Sequence, residues 1–333
     1  MLSYIIQRII RVIPQLLLIS ILAFIIIQLP PGDIVTLQLQ RLQASGVAVS
    51  EAQANALMRQ YGMDKPMYQR YLLWISNIIT KFDFGYSYTF EKPVGQVIME
   101  RMGYTFAIAL ASAIFTWVVA IPIGIFAAVK QYSLADYVIT FLTFVGLAVP
   151  AFFLAMIIMY LALTKFGIRA GGLFSPEYMI QPWSWGKFVD LLKHVWLPII
   201  LLGTGGVAGT IRTMRAMMLD ELRKPYVTVA RAKGLSEFQV IMRYPVRLAI
   251  NPIISGLMWL LPWLFSGGII LEIVLNLPTA GPALYAALRQ QDMYMAGAYI
   301  LITGALTAIS AIFSDIMLAV SDPRIRFGGV EGA

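Results

Sequence analysis

Residues 226–252 read YVTVARAKGLSEFQVIMRYPVRLAINP, a basic stretch set between long apolar runs. Arg231, Lys233, Arg243 and Arg247 lie in it, Arg223 and Lys224 just before it, and its one acid is Glu237. Such a segment cannot cross a bilayer and must face water. Pro225 suits the first turn of a helix, where its missing N–H costs nothing. Ala230, Arg231, Ala232 and Lys233 favour helix, and Gly234 is a natural stop after it. Ser236 with Gln239 reads as a capping box opening a second helix. The pattern is helix, glycine hinge, helix between two membrane spans. The rest of the chain is expected to hold this feature against a soluble partner.

The class follows from composition. Of 333 residues, 59% are hydrophobic and 13% charged, against about 25% charged in a soluble domain. The chain is therefore expected to be an integral membrane protein. Its net charge of +8 fits basic cytoplasmic loops and does not argue for nucleic acid. Cysteine is absent, which excludes disulfides and, with a single histidine, any His/Cys metal cluster. That histidine, His194, sits beside Lys193 and Trp196 at a span boundary and reads as an interfacial residue.

Six spans are expected, since roughly 20 apolar residues suffice to cross. The first is Ile5 to Leu29; its uncharged run, Val12 to Leu29, follows Arg8 and Arg11, which place the N-terminus in the cytoplasm. Its apolar run is too long for a signal peptide, and Gln28-Leu29-Pro30-Pro31 stands where a cleavage site would be. An external segment, 30–103, follows. Ser50 with Gln53 caps a helix running to Tyr61. Asp64 caps another that has Pro66 near its start and runs toward Ile79, with an apolar stripe that includes Trp74 and Ile78. Span two is Tyr104 to Val129, with Pro122 inside it. After a short turn, Lys130 to Asp136, span three is Tyr137 to Thr164, with a kink at Pro150. Lys165 to His194 is an external loop. Span four, Val195 to Ile211, carries Gly203, Gly205, Gly206 and Gly209, which let another backbone approach closely.

Residues 212–247 carry eight basic and three acidic side chains and so lie in the cytoplasm. Span five is Leu248 to Leu271, with Pro252, Pro262 and Gly267-Gly268. Glu272 to Asp292 is external, and span six runs from Met293 to near Val320. The expected organisation is N-terminus and first span in 1–29, the external segment in 30–103, a transmembrane core in 104–320 and a cytoplasmic tail in 321–333.

The chemistry missing from the chain is as informative. It contains no G-x-x-x-x-G-K-[ST], no H-E-x-x-H and no G-x-S-x-G, so no ATP site, metal site or catalytic residue is expected. Asp315 and Glu272, near span ends, are the acids closest to membrane depth, and intramembrane acids are functional candidates by default. A stand-alone channel or ion-coupled carrier is the rival class, disfavoured by the scarcity of such charges. An intramembrane enzyme is disfavoured by the lack of a catalytic constellation.

The basic loop resembles the coupling loop of ABC importer permeases, whose motif is roughly E-A-A-x-x-x-G followed by a second short helix. Gly234 aligns with the family glycine, and Thr228-Val229-Ala230 stands where the general motif has E-A-A. Ala230-Arg231-Ala232-Lys233-Gly234-Leu235 looks like the dipeptide/oligopeptide branch, which also includes nickel and oligosaccharide importers. Further landmarks resemble that branch: Pro31-Gly32-Asp33, Asp64-Lys65-Pro66, Asp83-Phe84-Gly85-Tyr86-Ser87, Asn276-Leu277-Pro278 and Asp322-Pro323-Arg324-Ile325-Arg326. Pro278-Thr279-Ala280-Gly281-Pro282 departs from its usual P-G-x-G.

The resemblance implies an all-α polytopic protein of the type I ABC importer permease fold, with a partly helical external insertion after the first span. It implies the N-terminal-type permease of a heterodimer in a bacterial or archaeal plasma (inner) membrane, with both termini cytoplasmic. The implied partners are a homologous second permease, two ATPase subunits, an external substrate-binding protein and the lipid bilayer. ATP and Mg are expected only on the ATPases. Tyr226, Ala230, Arg231, Ala232, Lys233, Gly234 and Leu235 are the expected coupling residues, and Gly267, Gly268 and Glu272 a candidate gate. The implied cargo is a dipeptide or oligopeptide, with oligosaccharide as the alternative.

Overall fold

The computed structural model describes residues 2–28, 65–168, 170–256 and 268–321. The landmark at Pro31-Gly32-Asp33, the helix capped by Ser50, the cap at Asp64, Pro262, Gly267 and the signature from Asp322 lie outside the described residues.

The described residues are built almost wholly from helices. In order they are α1 Leu2–Gln28, α2 Met67–Lys81, α3 Val94–Val129, α4 Leu134–Ala148, α5 Ala151–Phe166, α6 Pro176–Met179, α7 Trp185–Leu222, α8 Pro225–Ala232, α9 Glu237–Arg243, α10 Pro245–Ala249, α11 Ile269–Val274, α12 Ala280–Arg289 and α13 Met293–Ser321. Two two-residue strands, β1 Tyr86–Ser87 and β2 Lys92–Pro93, pair antiparallel between α2 and α3. Among the described residues, α3, α7 and α13 are each long and apolar enough to cross a membrane. The α4–α5 pair gives a fourth candidate span.

Three expectations change here. The third span is not one kinked helix: α4 and α5 meet at 89°. Pro150 clashes with a helical residue before it, so Val149 is extended with ψ 117° and Pro150 opens the next helix with ψ 131°. The helix of span two begins at Val94, ten residues before Tyr104, and takes in Glu100 and Arg101. Span four belongs to a 38-residue helix, Trp185–Leu222. Ser184 caps its start by accepting from the Lys187 N–H at 3.2 Å. Tryptophan and charge near the membrane surface marked a loop in the sequence, but neither prevents helix once the cap is in place.

By contact density the chain divides into two units, one made mainly of Arg101–Pro282 and the other of Ile10–Glu100 with Ala283–Ala305. In the first, Leu197, Leu201 and Leu202 of α7 pack with Ile108, Ala155, Leu173, Leu271 and Leu275. Close helix approach is made by Gly203, where a Cβ would come within 2.5 Å of the Phe115 ring. On α3, Gly124 does the same, at 2.7 Å from the Met214 Cβ. Gly205 and Gly209 face open space within the chain.

The second unit packs Ala23 and Phe24 of α1 against Trp74 and Ile78 of α2, the stripe expected for that helix. The Asp292 carboxylate accepts from Ser87 Oγ at 2.5 Å, the Thr89 N–H at 3.0 Å and the Met295 N–H at 3.2 Å. It caps α13 and holds the β1–β2 turn, which explains why Ser87 closes the Asp83–Ser87 landmark.

Candidate coupling surface

The basic stretch folds as its local signals dictate. Lys224 is extended, Pro225 takes the first turn of α8, and the helix ends at Ala232. Gly234 follows with φ +77°, in the left-handed region that favours glycine. Its N–H donates to the Arg231 carbonyl at 2.9 Å. Ser236 then caps α9 with both halves of the capping box formed: the Gln239 N–H donates to Ser236 Oγ, and the Ser236 N–H donates to Gln239 Oε1.

Two such short helices are unstable alone; packing holds them. Val227, Ala230 and Val240 form a buried knot, covered by Tyr226, Leu235 and Tyr244. The Tyr226 hydroxyl donates to the Glu221 carboxylate on the last turn of α7. Burial and that carboxylate hold the Tyr226 phenol well above its ordinary pKa, so it stays a neutral donor. Below the knot, Met214 and Met218 of α7 pack with Ala128, Val246 and Ala249. The α8–α9 pair is thereby tied to the long helix that leads into the bilayer.

The seven residues expected to couple divide in two. Arg231, Ala232, Lys233 and Gly234 are exposed, while Tyr226 and Leu235 are half-buried in the knot. Ala230, at 3% exposure, faces Val227 and Val240, so it sets how closely the two helices pack. Arg231 donates to both oxygens of Glu237, at 2.8 and 3.2 Å. An exposed pair of this kind contributes about 0–1 kcal/mol.

The sequence reading missed the apolar side of the surface. Phe238 is 74% exposed, and Val229 and Met242 are also exposed. Their presence in a charged, water-facing loop is the signal that could have found them.

Two further sets of residues lie outside the α8–α9 pair. Arg215, on α7, donates through Nε and Nη2 to the two oxygens of Asp136, both at 2.7 Å. Asp136 is 2% exposed and also accepts from the Tyr132 N–H at 3.0 Å. It fixes the turn between α3 and α4 to α7. Of the candidate gate, Glu272 is 4% exposed and accepts from Thr279 Oγ1 at 2.9 Å. Gly268 and Gly281 leave room for its carboxylate, since a Cβ on either would come within 3.1 or 2.5 Å of it. The Ala280 N–H donates to Thr105 Oγ1 at 2.8 Å. Thr279, where the sequence departs from P-G-x-G, and its neighbour Ala280 thus hold this turn to α11 and α3.

Comparison with known proteins agrees with this architecture. Residues 120–327 match the family described as binding-protein-dependent transport system inner membrane component, and residues 1–109 match its N-terminal companion family. The oligopeptide transport system permease protein AppB of Bacillus subtilis (strain 168) is 33% identical over 331 residues, covering 98% of this chain and 100% of the relative. The dipeptide transport system permease protein DppB of Escherichia coli (strain K12) is 30% identical over 342 residues, covering 98% and 99%. The di/tripeptide transport system permease protein DppB of Pseudomonas aeruginosa (strain UCBPP-PA14) is 29% identical over 339 residues, with the same coverage. With a family match over most of its length and apolar helices joined by a structured basic loop, this chain belongs to the inner membrane components of binding-protein-dependent transport systems.

Proposed function

We propose that this chain forms half of the translocation pathway of an ATP-driven peptide importer, with a second permease forming the other half. Two ATPase subunits bind ATP and Mg on the cytoplasmic side, and an external binding protein delivers the cargo. Both termini lie in the cytoplasm. The observation that carries the coupling role is the α8–Gly234–α9 pair, presented to water yet tied to α7 through the Tyr226–Glu221 hydrogen bond. Arg231, Ala232, Lys233 and Gly234, with Phe238, dock on one ATPase. Tyr226, Ala230 and Leu235 hold the helix in place for that contact.

ATP-driven closure of the ATPases moves α8. The cluster around Met214 and Met218 passes that movement to α3 and α7, whose rocking gives alternating access. At the outer end, the Glu272–Thr279 hydrogen bond holds the gate segment, which includes Gly268.

The peptide reading is supported by the names of the relatives above, all peptide permeases. The departure at Thr279, which left oligosaccharide as the alternative, has a structural account in its hydrogen bond to Glu272. Uptake of a radiolabelled tripeptide and of a trisaccharide should be compared in native cells with and without this chain. Loss of tripeptide uptake alone is the expected result. Loss of trisaccharide uptake alone would replace the cargo assignment, and loss of neither would remove the importer role.

A further inference from the structure

The helix α2 carries two apolar stripes, and only one of them is covered. Tyr71, Trp74 and Ile78 pack with Ala23 and Phe24 of α1 and with Met293, Tyr294, Ile300 and Leu301 of α13. The Tyr71 hydroxyl also shares a hydrogen bond with Ser20 Oγ at 2.7 Å. About a quarter-turn around the helix, Tyr68, Leu72, Ile75 and Ile79 recur at spacings of four, three and four residues. Ile75 is half-buried at the edge of the covered cluster, whereas Tyr68, Leu72 and Ile79 are exposed, Ile79 at 70%. Phe82, which ends the helix, is 80% exposed.

The depth of α2 follows from what it touches. Ala23 and Phe24 lie within about two turns of the outer end of span one, and Met293 and Tyr294 open span six. The helix therefore sits at the outer rim of the bilayer, beside two spans. Its neighbour α1 is apolar and exposed as well, at Leu17, Leu18 and Leu22. The arc of α2 opposite the bare stripe is mainly polar and holds Asn77, Thr80 and Lys81, with Leu73 among them. An apolar face on one side and a polar face on the other is the pattern of a helix lying in a membrane surface.

Charge points the same way. No acid occurs in α2, and Lys65 and Lys81 stand exposed at its two ends, which suits the phosphates of lipid headgroups. Tyr68, at the start of the helix, has the amphipathic ring that favours the headgroup level. A soluble partner would be steered and held by a charged or polar rim, and the bare stripe offers none.

We propose that α2 is an interfacial helix lying in the outer leaflet, with Leu72, Ile79 and Phe82 among the acyl chains and Tyr68 at headgroup level. The partner of this face is the lipid bilayer. α2 runs directly into the β1–β2 turn, which Asp292 holds at Ser87 and Thr89. Seating α2 in lipid thereby sets the height of that turn at the membrane surface, whatever the cargo.

The photoreactive amino acid p-benzoylphenylalanine tests this in the assembled complex. It replaces Ile79, Phe82 or, as the water-facing control, Thr80 in the full chain. Membranes from cells making each variant are irradiated, and the complex is purified through a tag on this chain. The mass of this chain then reports what was captured. Ile79 and Phe82 should each yield about fivefold or more phospholipid adduct than Thr80. Equal lipid capture at all three positions would overturn the proposal. So would capture of the second permease or of the external binding protein at Ile79 and Phe82, which would give the stripe to that partner. No adduct at either position would place the stripe in water and overturn it too. If the Ile79 variant fails to assemble, the Phe82 variant, which keeps the native ring, decides.

Discussion

Replacing Gly234 with Trp should cut uptake by about tenfold or more while leaving the chain folded. The effect does not come from crowding at the Cβ, which would meet nothing within 4 Å at Gly234. It can come from two other sources. One is backbone strain: at φ +77° an ordinary residue costs roughly 1–2 kcal/mol, which would loosen the turn into α9. The other is a body outside the chain that lies against this exposed hinge. Gly234→Asn separates them, since Asn tolerates the left-handed region but adds a side chain of moderate size. Docking against an ATPase groove predicts uptake within about threefold of wild type for Asn and collapse for Trp. Strain alone predicts that a second large residue tolerant of that region, His, behaves like Asn. The ratio of cargo moved to ATP hydrolysed in proteoliposomes is the deciding measurement. A ratio unchanged for Trp would mean that the hinge does not meet the ATPase.

How much of this could be read beforehand depended on the range of the forces involved. Pro225, Gly234 and the Ser236–Gln239 box were legible because each acts over one to four residues, and all three appear where expected. The stripe on α2 was legible for the same reason: Trp74 and Ile78 are a helical turn apart and both are buried. The break at Pro150 was not, because 28 uncharged residues give no sign of where the helix axis turns, and a proline is compatible with a kink or a full break. Ala230 and Ala232 look alike in sequence, yet Ala230 is buried with Val227 and Val240, a packing that a pattern of eight residues cannot fix. The glycines of α7 looked alike in sequence, yet Gly203 is crowded by Phe115 and Gly209 is open. Only the position of α3 distinguishes them.

The Asp136–Arg215 pair is the clearest case of what was hidden, since its partners are 79 residues apart, and it carries the second large prediction. Arg215→Ala should cost roughly 3–5 kcal/mol of stability, because it leaves the Asp136 carboxylate buried without its counter-charge. A lowered melting temperature of the purified complex would report this. Stability alone, however, does not separate a staple from a lever. Arg215 lies seven residues before the end of α7, about 10 Å along the axis from the start of the coupling region. Its two parallel hydrogen bonds fix direction as well as distance, so the turn before α4 has to follow any rotation of α7. The double variant Asp136→Leu with Arg215→Met replaces the pair by apolar groups, which commonly restores stability but imposes no direction. Its expected behaviour is a melting temperature near wild type with uptake still about tenfold below it. If uptake recovers together with stability, the pair only holds the fold. If it does not, the force entering at α8 reaches the bent α4–α5 pair through this contact.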